Sequence, residues 1–223
     1  MTVLAIDTAT RTIGMGLARP DEILYEKSWH SDNFHTVELA PAVQTALQQS
    51  GTSVKDLQSI VLANGPGSYT GLRIGLSFAK GLAFQRGIPI IPINTLDILA
   101  AAHPLDDRTL IAIIQAGRSR LIAAHYKVQN EAWTQSGEAY IATLEELYES
   151  INEASILCGE LSAEERRRLA RKHKKVQLAL PSQSVRRPAI LAELALALPE
   201  AEATQRRLGL TPDYFKSEAA LPS

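Results

Sequence analysis

Three short runs in which apolar residues dominate open the chain, at Val3 to Asp7, Thr12 to Ala18 and Ile23 to Trp29. Turn residues at Thr8 to Arg11 and at Arg19-Pro20-Asp21 separate them, so the pattern predicts a meander of three strands. Leu39, Val43, Ala46 and Leu47 then share one helical face, with Gly51 as the stop signal. Pro41 requires this helix either to begin within a turn of it or to bend there. A buried strand is predicted at Ile60 to Ala63, a long apolar helix running to Arg86, a strand at Ile88 to Ile93 and a short helix at Thr95 to Ala102. His103 to Asp107 reads as a linker.

Beyond the linker the order partly restarts. Leu110 to Ile114 and Leu121 to Val128 read as strands joined at Gln115 to Ser119. A helix at Leu144 to Ile151, a strand at Ile156 to Cys158 and a basic helix at Ala163 to His173 follow. A strand at Val176 to Leu180 and a helix at Ile190 to Leu198 complete the pattern. Strands first, then alternating helix and strand, appear once clearly and once in eroded form. This predicts an α/β protein of two related lobes, 1–102 and 103–223, and leaves open whether the last segment returns to the first lobe.

The most informative stretch is Asn64-Gly65-Pro66-Gly67-Ser68-Tyr69-Thr70-Gly71-Leu72-Arg73-Ile74-Gly75, a glycine-rich turn between a strand and a helix. Free N–H groups at a helix N-terminus form a natural anion cradle. The turn lacks the lysine of a P-loop and the spacing of the dinucleotide fingerprint. Both an anion site and a plain tight turn fit it. Asp7 and Thr8, at the end of the first strand, are candidate companions of Gly65, Gly67 and Ser68 in a nucleotide or anion site; for Asp7 a turn or capping role is the alternative.

In the helix that follows, Gly71, Gly75, Ala79 and Ala83 recur every four residues, and Leu72, Ile74, Leu76, Phe78, Leu82 and Phe84 crowd the other faces. A helix apolar nearly all round is buried or covered by a partner. Each interior glycine costs about 1 kcal/mol relative to alanine, which calls for a compensating close approach. Either the chain's own sheet or a helix of another subunit supplies it.

Composition narrows the class. With 223 residues, 45% of them hydrophobic, the chain can bury one large core or two modest ones. A formal charge of −1 provides no global attraction to nucleic acid or membrane. The single Cys158 excludes a disulfide framework within the chain, and its apolar neighbours favour an inert thiol. An acidic residue within the first apolar run, and no run long enough to span a bilayer, predict a cytoplasmic protein without a signal peptide.

One local charge imbalance stands against the neutral total. Between Leu161 and Arg187 nine basic residues face only Glu164 and Glu165, a net of +7. Arg166, Arg167, Arg171, Lys172 and Lys174 are candidate tRNA contacts, with a solvated helix face as the competing reading. His30, His35, His103, His125 and His173 are scattered, with no i, i+4 pair, so no metal site is predicted. No elbow motif surrounds Ser68, and no nucleophile, base and orienter set supports a peptidase.

The glycine motif, together with Ala79-Lys80-Gly81-Leu82-Ala83, Leu4-Ala5-Ile6-Asp7-Thr8-Ala9-Thr10 and His35-Thr36-Val37-Glu38-Leu39-Ala40-Pro41, resembles the signature of the bacterial TsaB (YeaZ) family. Ile88-Pro89, Asn94-Thr95-Leu96 and Pro212-Asp213-Tyr214-Phe215-Lys216 extend the resemblance. It is specific through Ala102 and looser beyond, where Gly117-Arg118 and Cys158-Gly159 carry it.

The resemblance implies a two-lobed actin-like fold of the sugar-kinase and heat-shock-chaperone ATPases, with ribonuclease-H-like lobes, the second eroded. It also implies a supporting subunit that pairs with the catalytic paralogue TsaD and works with the ATPase TsaE to place threonylcarbamoyl on the tRNA adenosine beside the anticodon. In such proteins homodimer and heterodimer use a bundle of first-lobe helices. That assigns Leu39, Val43, Leu47, Leu72, Arg73, Gly75, Leu76 and Ala79 to forming or supporting a partner interface. No catalytic residue, metal or cofactor of its own is implied; ATP or ADP would sit only at a subunit interface, and tRNA would be reached through the complex. Where relatives show Asp-Ala-Arg, this chain has Gln115-Ala116-Gly117-Arg118, which removes a carboxylate suited to Mg²⁺ or water positioning. A weak stand-alone ATPase or kinase is the alternative.

Overall fold

The computed structural model describes residues 1–32, 35–117, 120–172 and 175–199. It divides into two compact units, residues 1–98 with 187–199, and residues 99–186. The closing segment Pro212 to Lys216, and with it the question of where the chain's last segment lies, falls outside the described residues.

In the first unit, β1 (Thr2–Asp7), β2 (Thr12–Arg19) and β3 (Glu22–His30) form the predicted meander. β4 (Leu57–Ala63) and β5 (Ile90–Ile93) then add on the other side of β1, giving the order β3-β2-β1-β4-β5. β1 pairs antiparallel with β2 and parallel with β4, and β4 pairs parallel with β5. Both faces of the central strands are buried, which explains their continuous apolar runs. Leu4, Ile6, Ile60 and Leu62 face α1 (His35–Gln49) and α2 (Tyr69–Arg86). Val3, Ala5, Val61 and Ile91 face Leu191, Ala192 and Ala195 of the final helix, Pro188–Leu196.

That final helix therefore belongs to the first unit, whereas the sequence division placed its residues in the second. Gly14 of β2 permits its approach, since a Cβ there would lie 2.7 Å from Pro188 Cγ. Glu26 of β3 fastens its start, accepting from the backbone N–H of Ala189 at 3.1 Å and from Arg187 Nε at 3.2 Å.

Pro41 lies inside α1, which begins six residues earlier. The carbonyl that loses its donor belongs to Val37; both residues are solvent-exposed, so water can supply the missing bond.

In the second unit, β6 (Thr109–Gly117), β7 (Arg120–Gln129), β8 (Ala132–Thr143), β9 (Ser155–Gly159) and β10 (Val176–Leu178) are ordered β10-β9-β6-β7-β8. Read from the other edge, this is the order of the first sheet, with the same antiparallel and parallel pairings. The erosion lies in the helices. α4 (Leu144–Ser150) and α5 (Ala163–Lys172) have 7 and 10 residues where α1 and α2 have 15 and 18.

β8 completes the duplication and is absent from the sequence-based pattern. Its first half is mostly exposed ribbon, and only Tyr140 and Ala142 are buried, so it lacks the apolar alternation of a core strand. The tight turn before it uses Asn130 and Glu131 at φ 50° and 60°, the left-handed pair that matches the twist of a two-residue hairpin. α3 (Thr95–Ala101) follows β5, and the final helix, α6, follows β10, in equivalent positions of the chain order.

Candidate functional site

The turn from Asn64 to Ser68 is filled by the chain's own atoms. A Cβ at Gly65 would lie 2.6 Å from the backbone N of Thr95, and one at Gly67 would lie 2.5 Å from the carbonyl of Ala9. That same carbonyl accepts the N–H of Ser68 at 2.6 Å. The Ser68 hydroxyl caps α2 by accepting from Gly71 N at 3.2 Å. Asp7 is buried and accepts the N–H of Ala9 at 2.9 Å. Thr8 is buried as well, with its hydroxyl donating to the carbonyl of Gly71 at 2.8 Å. Asp7, Thr8, Gly65, Gly67 and Ser68 thus come together as the sequence suggested, but as an interlock between the β1–β2 turn and the start of α2. Of the two readings the sequence left open, a packed turn is what the geometry shows, because backbone atoms occupy the space the glycines clear.

For the small-residue stripe of α2, the chain's own sheet and β1–β2 turn supply the close approach. Gly71 and Gly75 face Thr8, and Ala79 and Ala83 sit in the core against the sheet. A Cβ at Gly75 would lie 2.2 Å from Thr8 Oγ1 and 3.3 Å from Leu62 Cδ1. Leu39, Val43, Leu47, Leu72 and Leu76 are likewise buried under the helices; Leu39 forms the floor of the groove described next, and the other four lie beneath the outer surface and support it. Of the eight residues assigned to the interface, only Arg73 is exposed.

The uncovered side of α2 is a second apolar face. Ile74 and Phe78 are half-buried, and with Thr36, Leu39, Tyr69, Thr70, Arg73 and Ser77 they line a groove of about 470 Å³ between α1 and α2. Val37 (64% exposed) on α1 and Phe84 (91% exposed) on α2 extend the apolar surface. Arg73 stands over Tyr69, its guanidinium 5.2 Å from the ring centroid and its Nη1 donating to the phenol oxygen at 2.9 Å. The sequence signal for this face was the i, i+4 pair Ile74 and Phe78. It was masked because α2 carries two apolar faces, and period alone does not say which one meets the sheet.

Among the described residues, several cations of the basic segment are engaged within the fold. Arg166 donates to the carbonyl of Ala179 at 2.7 Å and to Ser184 Oγ at 2.8 Å. Arg168 pairs with Glu145, Lys175 donates to the carbonyl of Asn152 at 2.6 Å, and Arg187 pairs with Glu26. Arg186 is buried against Glu160 at 2.6 Å. Arg167 and Arg171 are exposed on α5, while Lys174 and the side chain of Lys172 lie outside the described residues. Sequence proximity had grouped residues that the fold assigns to separate structural tasks.

At the end of β6, Gln115 donates its backbone N–H to Glu160 Oε2 and its amide Nε2 to the Glu160 carbonyl, both at 3.2 Å. Cys158 on β9, opposite Ala112 of β6, is fully buried, and burial pushes its thiol up to about 12. His103 is buried with Nε2 lacking a partner, and burial lowers its affinity for a proton. Burial lowers that of His125 too, whose Nε2 is 2.8 Å from the Tyr140 hydroxyl. Among the described residues no three His, Cys, Asp or Glu side chains converge as a metal site. No helix among them is long and apolar enough to cross a membrane.

Two five-stranded sheets with one shared strand order define an α/β protein of the actin-like ATPase fold, built from duplicated ribonuclease-H-like lobes. The family model described as TsaD, tRNA N6-adenosine threonylcarbamoyltransferase, matches residues 29–204. The chain belongs to that family, and the relatives it resembles within it are the TsaB (YeaZ) proteins. It is 39% identical over 130 residues to the tRNA threonylcarbamoyladenosine biosynthesis protein TsaB of Bacillus subtilis, covering 58% of this chain and 57% of that protein. For the Escherichia coli protein of the same name, identity is 35% over 136 residues, covering 60% and 58%. The alignments therefore span less than two thirds of these relatives. YeaZ from Pseudomonas aeruginosa superposes with a TM-score of 0.68 over 88% of this chain and 92% of its own, at 22% identity, and so shares the fold.

Proposed function

We propose that this chain is a non-catalytic scaffold and activator subunit in the biosynthesis of tRNA N6-threonylcarbamoyladenosine beside the anticodon. It docks a TsaD-type paralogue on the α1–α2 face and supports turnover driven by a TsaE-type ATPase. The observation that carries this reading is the pairing of a packed glycine turn with an uncovered apolar groove on the outer side of the same helix. The names of the Bacillus subtilis and Escherichia coli relatives support the pathway. The chain works in the cytoplasm, self-associates through this face when the paralogue is absent, and meets tRNA through the complex. ATP or ADP is held at a subunit interface, with no cofactor belonging to this chain alone.

Co-expression with the TsaD-type paralogue tests the docking. Ile74→Glu places a carboxylate in the groove and should abolish copurification, while circular dichroism shows an unchanged fold. Retained copurification would overturn the assignment of the face. Calorimetry of the isolated chain with ATP and Mg²⁺ tests the rest: tight binding with turnover would favour a stand-alone ATPase or kinase.

A further inference from the structure

We propose that the α1–α2 face is charge-selective, taking an apolar protein surface rimmed by carboxylates in preference to a second copy of this chain. The inference rests on the docking reading above and adds the chemistry of the partner. α2 carries Arg73, exposed on the groove, Lys80, which is exposed but makes an interaction of its own, and Arg86, exposed in the last turn, with no acidic residue along its whole length. The acidic residue of α1 is Glu38, whose carboxylate accepts from Trp29 Nε1 at 2.9 Å and is thereby held against β3. The exposed positions Thr36, Val37, Ala40, Gln44 and Gln48 of α1 are uncharged.

Arg73 matters most because it stands on the groove itself. Its guanidinium engages a phenol, which satisfies its geometry without neutralising its charge. Arg86 donates to the carbonyl of Lys55 at 3.1 Å and lies within electrostatic reach of Asp56, so it adds less. In an isologous pair the same surface faces itself. The groove, in which Arg73 is the one charged lining residue, then faces the same cationic groove of the other copy, and apolar burial must overcome the repulsion. A partner with carboxylates around its own apolar patch gains both terms. Complementary charge of this kind decides partner choice more than raw affinity.

The test combines salt dependence with charge reversal in the full chain. Sedimentation of the wild type is measured at about 50 mM and about 500 mM NaCl, where the screening length falls from roughly 14 Å to roughly 4 Å. Self-association should tighten with salt. An equimolar mixture of wild type and Arg73→Glu should associate more tightly at low salt than wild type alone, by roughly 2- to 5-fold, the worth of an exposed pair. Titration of the TsaD-type paralogue should show the opposite salt response and a roughly 2- to 5-fold loss with Arg73→Glu. Self-association that weakens with salt, or a mixture no tighter than wild type, overturns the proposal. A paralogue that never binds, beside self-association of the expected salt response, overturns the functional reading and leaves the charge selectivity standing.

Discussion

The hydroxyl of Thr8 donates a 2.8 Å hydrogen bond to the carbonyl of Gly71, and the same oxygen lies 2.2 Å from where a Cβ on Gly75 would project. One residue on the first turn of the chain thus explains both glycines of a helix that begins some sixty residues later, through its hydroxyl at Gly75 and through its backbone carbonyl, 2.1 Å from a Cβ position, at Gly71. The helix tolerates two poor helix formers because backbone contact with the β1–β2 turn replaces what alanine would have supplied.

Substitution at these glycines should act on folding. Gly75→Ala is expected to lose roughly 1–3 kcal/mol by overpacking a site whose neighbours include a hydrogen-bonded hydroxyl. Gly81 occupies the same helix with no atom within 4 Å of its Cβ position. Gly81→Ala should gain about 0.5–1 kcal/mol. Urea titration of the two variants reads the contrast directly, and equal effects would sink the explanation.

The ion pair of Arg186 and Glu160 should outweigh that of Arg168 and Glu145. Arg186 keeps only 2% of its side chain exposed, whereas both members of the second pair are half exposed. Arg186→Ala leaves a partly buried carboxylate without its cation and should cost about 3–5 kcal/mol. Arg168→Ala should cost less than about 1 kcal/mol. Denaturant midpoints measure both.

Cys158 should behave as core. Its thiol is buried on β9 and pushed up to about 12, so almost no thiolate exists at neutral pH. Ellman's reagent should react with it at the rate of unfolding and stoichiometrically in denaturant. Rapid labelling of the native protein would contradict the buried placement.

Acid should weaken the second unit through His103 and His125. Burial holds both imidazoles below the ordinary value of 6.5, so the unfolded chain binds more protons as the pH falls. The stability they contribute is fully present above that value and is lost as acid is added toward the folded-state values. His103→Gln and His125→Gln should each flatten the fall in stability between about pH 7 and pH 5. An unchanged pH slope in both variants would remove these residues from the account.

Much of the architecture is legible in the chain. The meander, the strand at Ile60 to Ala63, the helix ending at Arg86 and the order of elements around Gly65 follow from apolar period and turn chemistry, which are local properties. β8 escaped because an exposed ribbon needs no apolar alternation. The partners of Arg166, Arg168, Arg186 and Arg187 were not legible in the basic run, because adjacency in sequence says nothing about which carboxylate or carbonyl each cation meets.

The residues by themselves determined a duplicated α/β chain and marked α2 as a helix that something must approach closely. Tertiary structure alone decided what approaches: Thr8 and Ala9 fill the glycine side, and Ile74, Phe78 and Arg73 remain on the outside. The physical reason is that a helix with two apolar faces has the same period whichever one is buried. Only the packing of the β1–β2 turn against Gly71 and Gly75 breaks that degeneracy.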